Sequence, residues 1–174
     1  MNKKEIVALL GKEHQRLVNW LNNQPEENWE KGPEGKWTTG QQVLHIVNSL
    51  QALNKALRVP KFILKFKFGK SNREVRDFDT VVQRYQDRLR ENQEAAFQFN
   101  QKLKTPSIQE RKKLITTLIR EYTKLQKHTK KWKDRHLDTC ILPHPLMGKM
   151  PIRELIMWSA HHVNHHTNVL IDAY

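Results

Sequence analysis

The sequence holds one cysteine, Cys140, among 174 residues. No internal disulfide can form, so packing alone must hold the fold, and a reducing compartment fits. No apolar run is long enough to cross a bilayer, and the polar start Met1-Asn2-Lys3-Lys4-Glu5 does not resemble a signal peptide. The expectation is a cytoplasmic protein without a membrane span. Glycine-rich phosphate loops, nucleophile elbows and CxxC pairs are also missing, which removes three common catalytic signatures. Carboxylates are few: 18 Asp and Glu stand against 31 Lys and Arg, a net charge of +13. Such a balance can attract nucleic acid, acidic membranes or anionic ligands. The basic residues run from Lys3 to Arg153 and are densest at Lys124, Lys127, Lys130, Lys131, Lys133 and Arg135. Their spacing puts that run on a solvated helix face. No nucleic-acid motif accompanies it, so no nucleic-acid partner is expected.

What is present is helical periodicity. The length suffices for one domain with its own core, residues 1–174. Ile6, Leu9, Leu10, Leu17, Trp20 and Leu21 recur at spacings of three and four, which predicts a helix over 3–23. Pro25, Gly32, Pro33 and Gly35 predict a loop over 24–37. Thr38 or Thr39, with a Gln three residues on, forms a capping-box pattern that starts a second helix running to about Arg58. Pro60 stops it. The stretch Phe62-Ile63-Leu64-Lys65-Phe66-Lys67-Phe68 fits a short helix, a strand or a membrane-touching patch. It is read here as a loop tucking its aromatics over the bundle end. Helices are predicted over 78–103, with Val81, Tyr85, Phe97 and Leu103, and over 108–135, fraying near Lys127 to Lys131. A loop is predicted over 138–150, then a last helix over 151–172. The fold class is all-α: an antiparallel four-helix bundle with an additional helical segment in the long connection between core helices two and three.

Four of the nine histidines fall within 161–166 of that last helix. They form two i,i+4 pairs, His161/His165 and His162/His166, and each pair shares one face. Two imidazoles one turn apart can grip a transition-metal ion, as in the zinc-binding helix of metalloproteases. At about 100° per residue, Leu155, Ser159, His162, His166 and Val169 line the edge of the apolar face. His161 and His165 share a wetter face with Glu154, Met157 and Asn168. His162 and His166 are therefore the inward candidates. Alone, such an HxxxH pair is more often a pair of core-edge or surface histidines. A third imidazole shifts that balance: His45 flanks the core stripe of the second helix, beside Ser49, Ala52 and Ala56. His14 lies near the Leu10/Leu17/Leu21 stripe and is read as structural.

Two segments together resemble a known family. Gly35-Lys36-Trp37-Thr38-Thr39-Gly40-Gln41-Gln42-Val43-Leu44-His45 is similar to the Trp, turn and early-His helix of the DinB-like superfamily. His144-Pro145-Leu146-Met147-Gly148-Lys149-Met150-Pro151, running on through His162 and His166, is similar to its C-terminal pattern. The resemblance covers essentially the whole chain. It implies a four-helix bundle with a metal at one end, bound by His45, His162 and His166. It also implies a homodimer, and an activity of metal-dependent hydrolase or thiol S-transferase. The polar run that follows the last ligand in many members is replaced here by Thr167-Asn168-Val169, so a role for those positions does not carry over.

Three imidazoles leave open positions on a metal for water or substrate. Zinc is the first expectation and nickel the second. A low-molecular-weight thiol is the co-substrate if the chemistry is thiol transfer. No general base stands out; a neighbouring histidine or Asn164 is the only candidate. Two other readings stand beside the enzyme: a non-catalytic metal-binding or stress-related interaction protein on the same bundle, and a protein whose basic surface is primary.

Overall fold

The computed structural model describes residues 1–92 and 103–174. Helix α1 spans Lys3–Asn22. Asn2 caps it: its side chain accepts from the Lys4 and Glu5 amides, and the Glu5 carboxylate accepts from the Asn2 amide. These bonds satisfy donors that every helix start leaves orphaned. Helix α2, Thr39–Arg58, begins the same way with Thr38 and Gln41. Helices α3 (Lys61–Phe68) and α4 (Phe78–Glu91) follow, then α5 (Arg111–Lys131) and the short α6 (Asp134–Thr139). Strands β1 (Ile141–His144) and β2 (Gly148–Pro151) lead into α7, Ile152–Ala173. Helices α1, α2, α5 and α7 pack on one another as the four-helix core. Helices α3 and α4 occupy the long connection between the second and third of these, and α4 packs on α7.

The core runs between the helices through Leu10, Leu17, Ile46, Leu50, Leu118, Tyr122, Leu125, Ile156 and Val163. Each fully buried Leu or Ile contributes about 1.5–3 kcal/mol against its exposed state. At one end Trp29, in a 3-10 turn at Glu26–Trp29, is buried and donates its indole N–H to the Ser107 carbonyl at 3.1 Å. Gly40 permits this: a Cβ there would come within 2.9 Å of the Trp29 carbonyl oxygen. The expected loop thus contributes a core side chain and fixes where α2 starts.

Four expectations need correction. Residues 61–68 are helical, and Phe62 and Phe66 point to solvent instead of covering the bundle. Only Leu64 is buried there, because α3 rests one edge on β1. The expected helix over 108–135 breaks at Trp132 and Lys133, both in extended conformation, and resumes as α6. It does not fray before the break: Thr129 is fully buried and donates to the Leu125 carbonyl. The expected loop over 138–150 begins with the end of α6 and then forms a β-hairpin with Ile141 opposite Pro151 and His144 opposite Gly148. Gly148 supplies the left-handed residue of its turn, at φ 70°. Finally, the face of Glu154 and Met157 is not wet. Every residue from Ile152 to Ala160 is buried, because α1, α2, α4, α6 and the hairpin all pack on α7. Of the helix expected over 78–103, the part at 93–102, including Phe97, lies outside the described residues.

Candidate metal centre

Helix α2 presents His45 two turns after its Thr38 cap, and α7 presents His162 and His166 one turn apart. The three rings meet. His162 Nε2 lies 3.0 Å from His45 Nε2 and 2.9 Å from His166 Nε2. One nitrogen from each residue falls within 4.8 Å of the others. His162 and His166 are buried and His45 is half-buried.

The third face of the site is a carboxamide. Gln42, one turn before His45 and itself buried, places its Oε1 2.5 Å from His166 Nδ1. An amide oxygen only accepts, so His166 Nδ1 carries the proton and donates. That fixes the tautomer and leaves His166 Nε2 as a lone-pair nitrogen facing the other two rings. Aromatic walls hold the rings in place. Trp158 stacks on His162 at 4.5 Å between centroids, and Trp37 lies 4.9 Å from His45 and 6.1 Å from His166.

Burial sets the protonation of all three. It pushes His45 down to about 4, with the nearby His165 adding to the shift. Burial also holds His162 and His166 well below the usual histidine range, and neighbouring histidines push the same way. The rings are therefore neutral at pH 7, the form that binds metals. With His166 Nε2 bare, a proton on His162 Nε2 has to serve both short contacts, and a proton on His45 Nε2 instead leaves the His162–His166 contact with none. A divalent cation resolves that conflict. Tetrahedral Zn–N bonds of about 2.0–2.1 Å would separate such nitrogens by about 3.3 Å, a few tenths more than observed. The donor set fits a borderline-soft ion such as zinc or nickel.

The other histidines lie elsewhere. His161 and His165 are half-buried on the next face, with Tyr85 centred 5.8 Å and 6.4 Å from them. His14 rests on the Tyr122 ring at 4.2 Å. His144 Nδ1 accepts from the Leu146 and Met147 amides, so it closes the hairpin turn and backs Trp158 at 4.3 Å. Asn164 is engaged away from the cluster, donating to the buried Glu13 carboxylate at 2.8 Å. No Asp or Glu joins the three histidines among the described residues. Two surface clefts, one beside Lys65 and one beside Asn72, are not lined by these histidines. Sequence reasoning missed Gln42, Trp158 and Tyr85. Gln42 had a signal: it precedes His45 by three residues and so shares its face.

A sequence model of the DinB superfamily matches residues 9–170. The chain belongs to that superfamily. The match spans both segments that carry the resemblance and all three clustered histidines. No curated protein and no solved structure gives a match. For a DinB-superfamily chain, a buried three-histidine cluster fits a divalent metal site. Gln42 is then a positioning residue in this site, since it orients His166 without offering a ligand. Gln42→Ala should weaken zinc binding about tenfold, the usual cost of losing an orienting partner. Competition against a chromophoric chelator measures it, and an unchanged affinity refutes the role.

Proposed function

We propose that this DinB-superfamily protein is a metal-dependent enzyme, a hydrolase or a thiol S-transferase, working at His45, His162 and His166. The observation that carries the reading is the convergence of three neutral imidazole nitrogens, with Gln42 fixing the tautomer of one. A structural zinc site is closed by four protein ligands, whereas this cluster offers three. Zinc is the first candidate and nickel the second. A metal held there supplies Lewis acidity towards a carbonyl, a water or a thiolate.

The chain's own residues do the rest. His162 and His166 are kept neutral by burial, and Gln42 holds the His166 proton on Nδ1. Trp37 and Trp158 exclude water from the back of the rings and fix their tilt. His161, His165 and Tyr85 line the adjoining face. Burial pushes the Tyr85 hydroxyl up to about 12, so it stays protonated and can donate to an oxygen of a bound substrate.

Two assay panels on the zinc- and nickel-loaded protein separate the chemistries: ester and amide hydrolysis without added thiol, and conjugation of an electrophile with low-molecular-weight thiols. Turnover in one panel that disappears in His162→Ala supports the reading. A metal-loaded protein inactive in both panels, with no water exchanging on the metal, favours a non-catalytic metal-binding protein.

A further inference from the structure

The histidine site leaves the +13 charge and helix α3 without a role. From Gly35 to Arg73 the sequence has no Asp or Glu, but it has Lys36, Lys55, Arg58, Lys61, Lys65, Lys67, Lys70 and Arg73. The fold brings a second basic segment against this one. Arg58, Lys61, Lys124 and Lys131 surround His128, and Lys61, Lys65, Lys133 and Arg135 surround His136. Lys65, Lys70 and Arg135 line a surface cleft of about 330 Å³ with His136 and Thr139. None of these three cations has an ion-pair partner among the described residues.

Helix α3 stands over that cleft with its apolar residues on the wrong side. Leu64 is buried, while Phe62 is 73% and Phe66 93% exposed, and Ile63 is exposed beside them. Two residues on either side of Leu64 is about 160° round the helix, so both rings point straight away from the protein. The inner edge is tied down: Lys149 donates to the Phe68 carbonyl, and Lys70 bridges to Cys140. This is a fixed amphipathic helix with two outward phenylalanines ringed by cations. Interfacial helices have that composition: aromatics for the acyl boundary and lysines for anionic headgroups.

We propose that α3 and the cleft beside it form a peripheral membrane-binding surface for anionic bilayers. Phe62 and Phe66 insert among the headgroups, and Lys65, Lys70 and Arg135 hold a lipid phosphate. Positive charge complements the anionic leaflet, and the aliphatic Ile63 between the rings suits acyl chains better than stacked bases. Arg58 lies 13 residues beyond His45 on α2, about 20 Å along the axis, so the membrane contact is remote from the metal centre.

Vesicle co-sedimentation of the full metal-loaded chain tests this, using phosphatidylcholine alone and phosphatidylcholine mixed with phosphatidylserine. The wild type should sediment with the mixed vesicles only. Phe62→Ala with Phe66→Ala should lower the partition coefficient about tenfold or more. Lys65→Glu, Lys70→Glu and Arg135→Glu together should lower it about 100-fold, at roughly fivefold per cation. The two exposed phenylalanines touch no core, so circular dichroism and metal content should not change. Equal sedimentation with neutral vesicles, none with either, or a phenylalanine variant that binds like wild type overturns the proposal. So does a single-stranded oligonucleotide that strips the protein from vesicles at equal phosphate and binds through the same residues.

Discussion

Glu154→Gln should destabilise the protein by about 3 kcal/mol, the low end of the range for breaking a buried ion pair. The Glu154 side chain is fully buried. Its two oxygens accept from the Arg73 guanidinium at 2.5 and 2.8 Å, and also from the Arg76 amide at 2.8 Å and its guanidinium at 3.2 Å. Burial alone would raise its pKa. The Arg73 hydrogen bond and the Arg76 amide outweigh burial and hold the carboxyl below the usual range. Glutamine keeps the volume but turns one acceptor into a donor facing donors, and it removes the charge the guanidiniums neutralise. Both arginines remain partly exposed, so water relieves some of their cost. The change also frees the 73–76 segment from α7 at the entry to α4. Urea denaturation reads the loss through its midpoint at unchanged slope. A loss under about 1 kcal/mol would show that these bonds stabilise the fold no more than a surface pair does.

The second large effect is on metal. Alanine at His45, His162 or His166 should each abolish tight zinc binding, since two ligands remain where three converged. His161→Ala and His165→Ala should keep the metal within about threefold, because neither contributes a nitrogen to the cluster, even though the His165 ring lies 5.1 Å from that of His166. Elemental mass spectrometry on protein purified without a histidine tag or chelator separates the two groups. Equal loss across all five variants would sink the assignment by helix face. Metal retained in His45→Ala would remove α2 from the site.

Helix existence was legible in the sequence because apolar spacing reports directly on a buried stripe. The cap at Thr38 was legible too, since its partner Gln41 lies three residues away. Inward placement of His162 and His166 followed from the same periodicity. What failed was non-local. Glu154 reads as wet from the helix wheel, yet it is buried because Arg73 and Arg76 arrive from another segment to neutralise it. The hairpin at 141–151 was hidden by Pro143 and Pro145 and by strands of only four residues. Phe62 and Phe66 read as cover for the bundle because exposed phenylalanine is costly, and no local signal said otherwise. Gln42 shares a helix face with His45, but its role exists only once His166 comes to it from a different helix.

X-ray absorption at the metal edge of tag-free protein reads the ligand set of His45, His162 and His166 itself. One zinc or nickel per chain is expected, with three imidazole nitrogens at about 2.0–2.1 Å and lighter scatterers completing the shell. A sulfur shell near about 2.3 Å, fewer than three imidazoles, or a chain that takes up neither metal would contradict it.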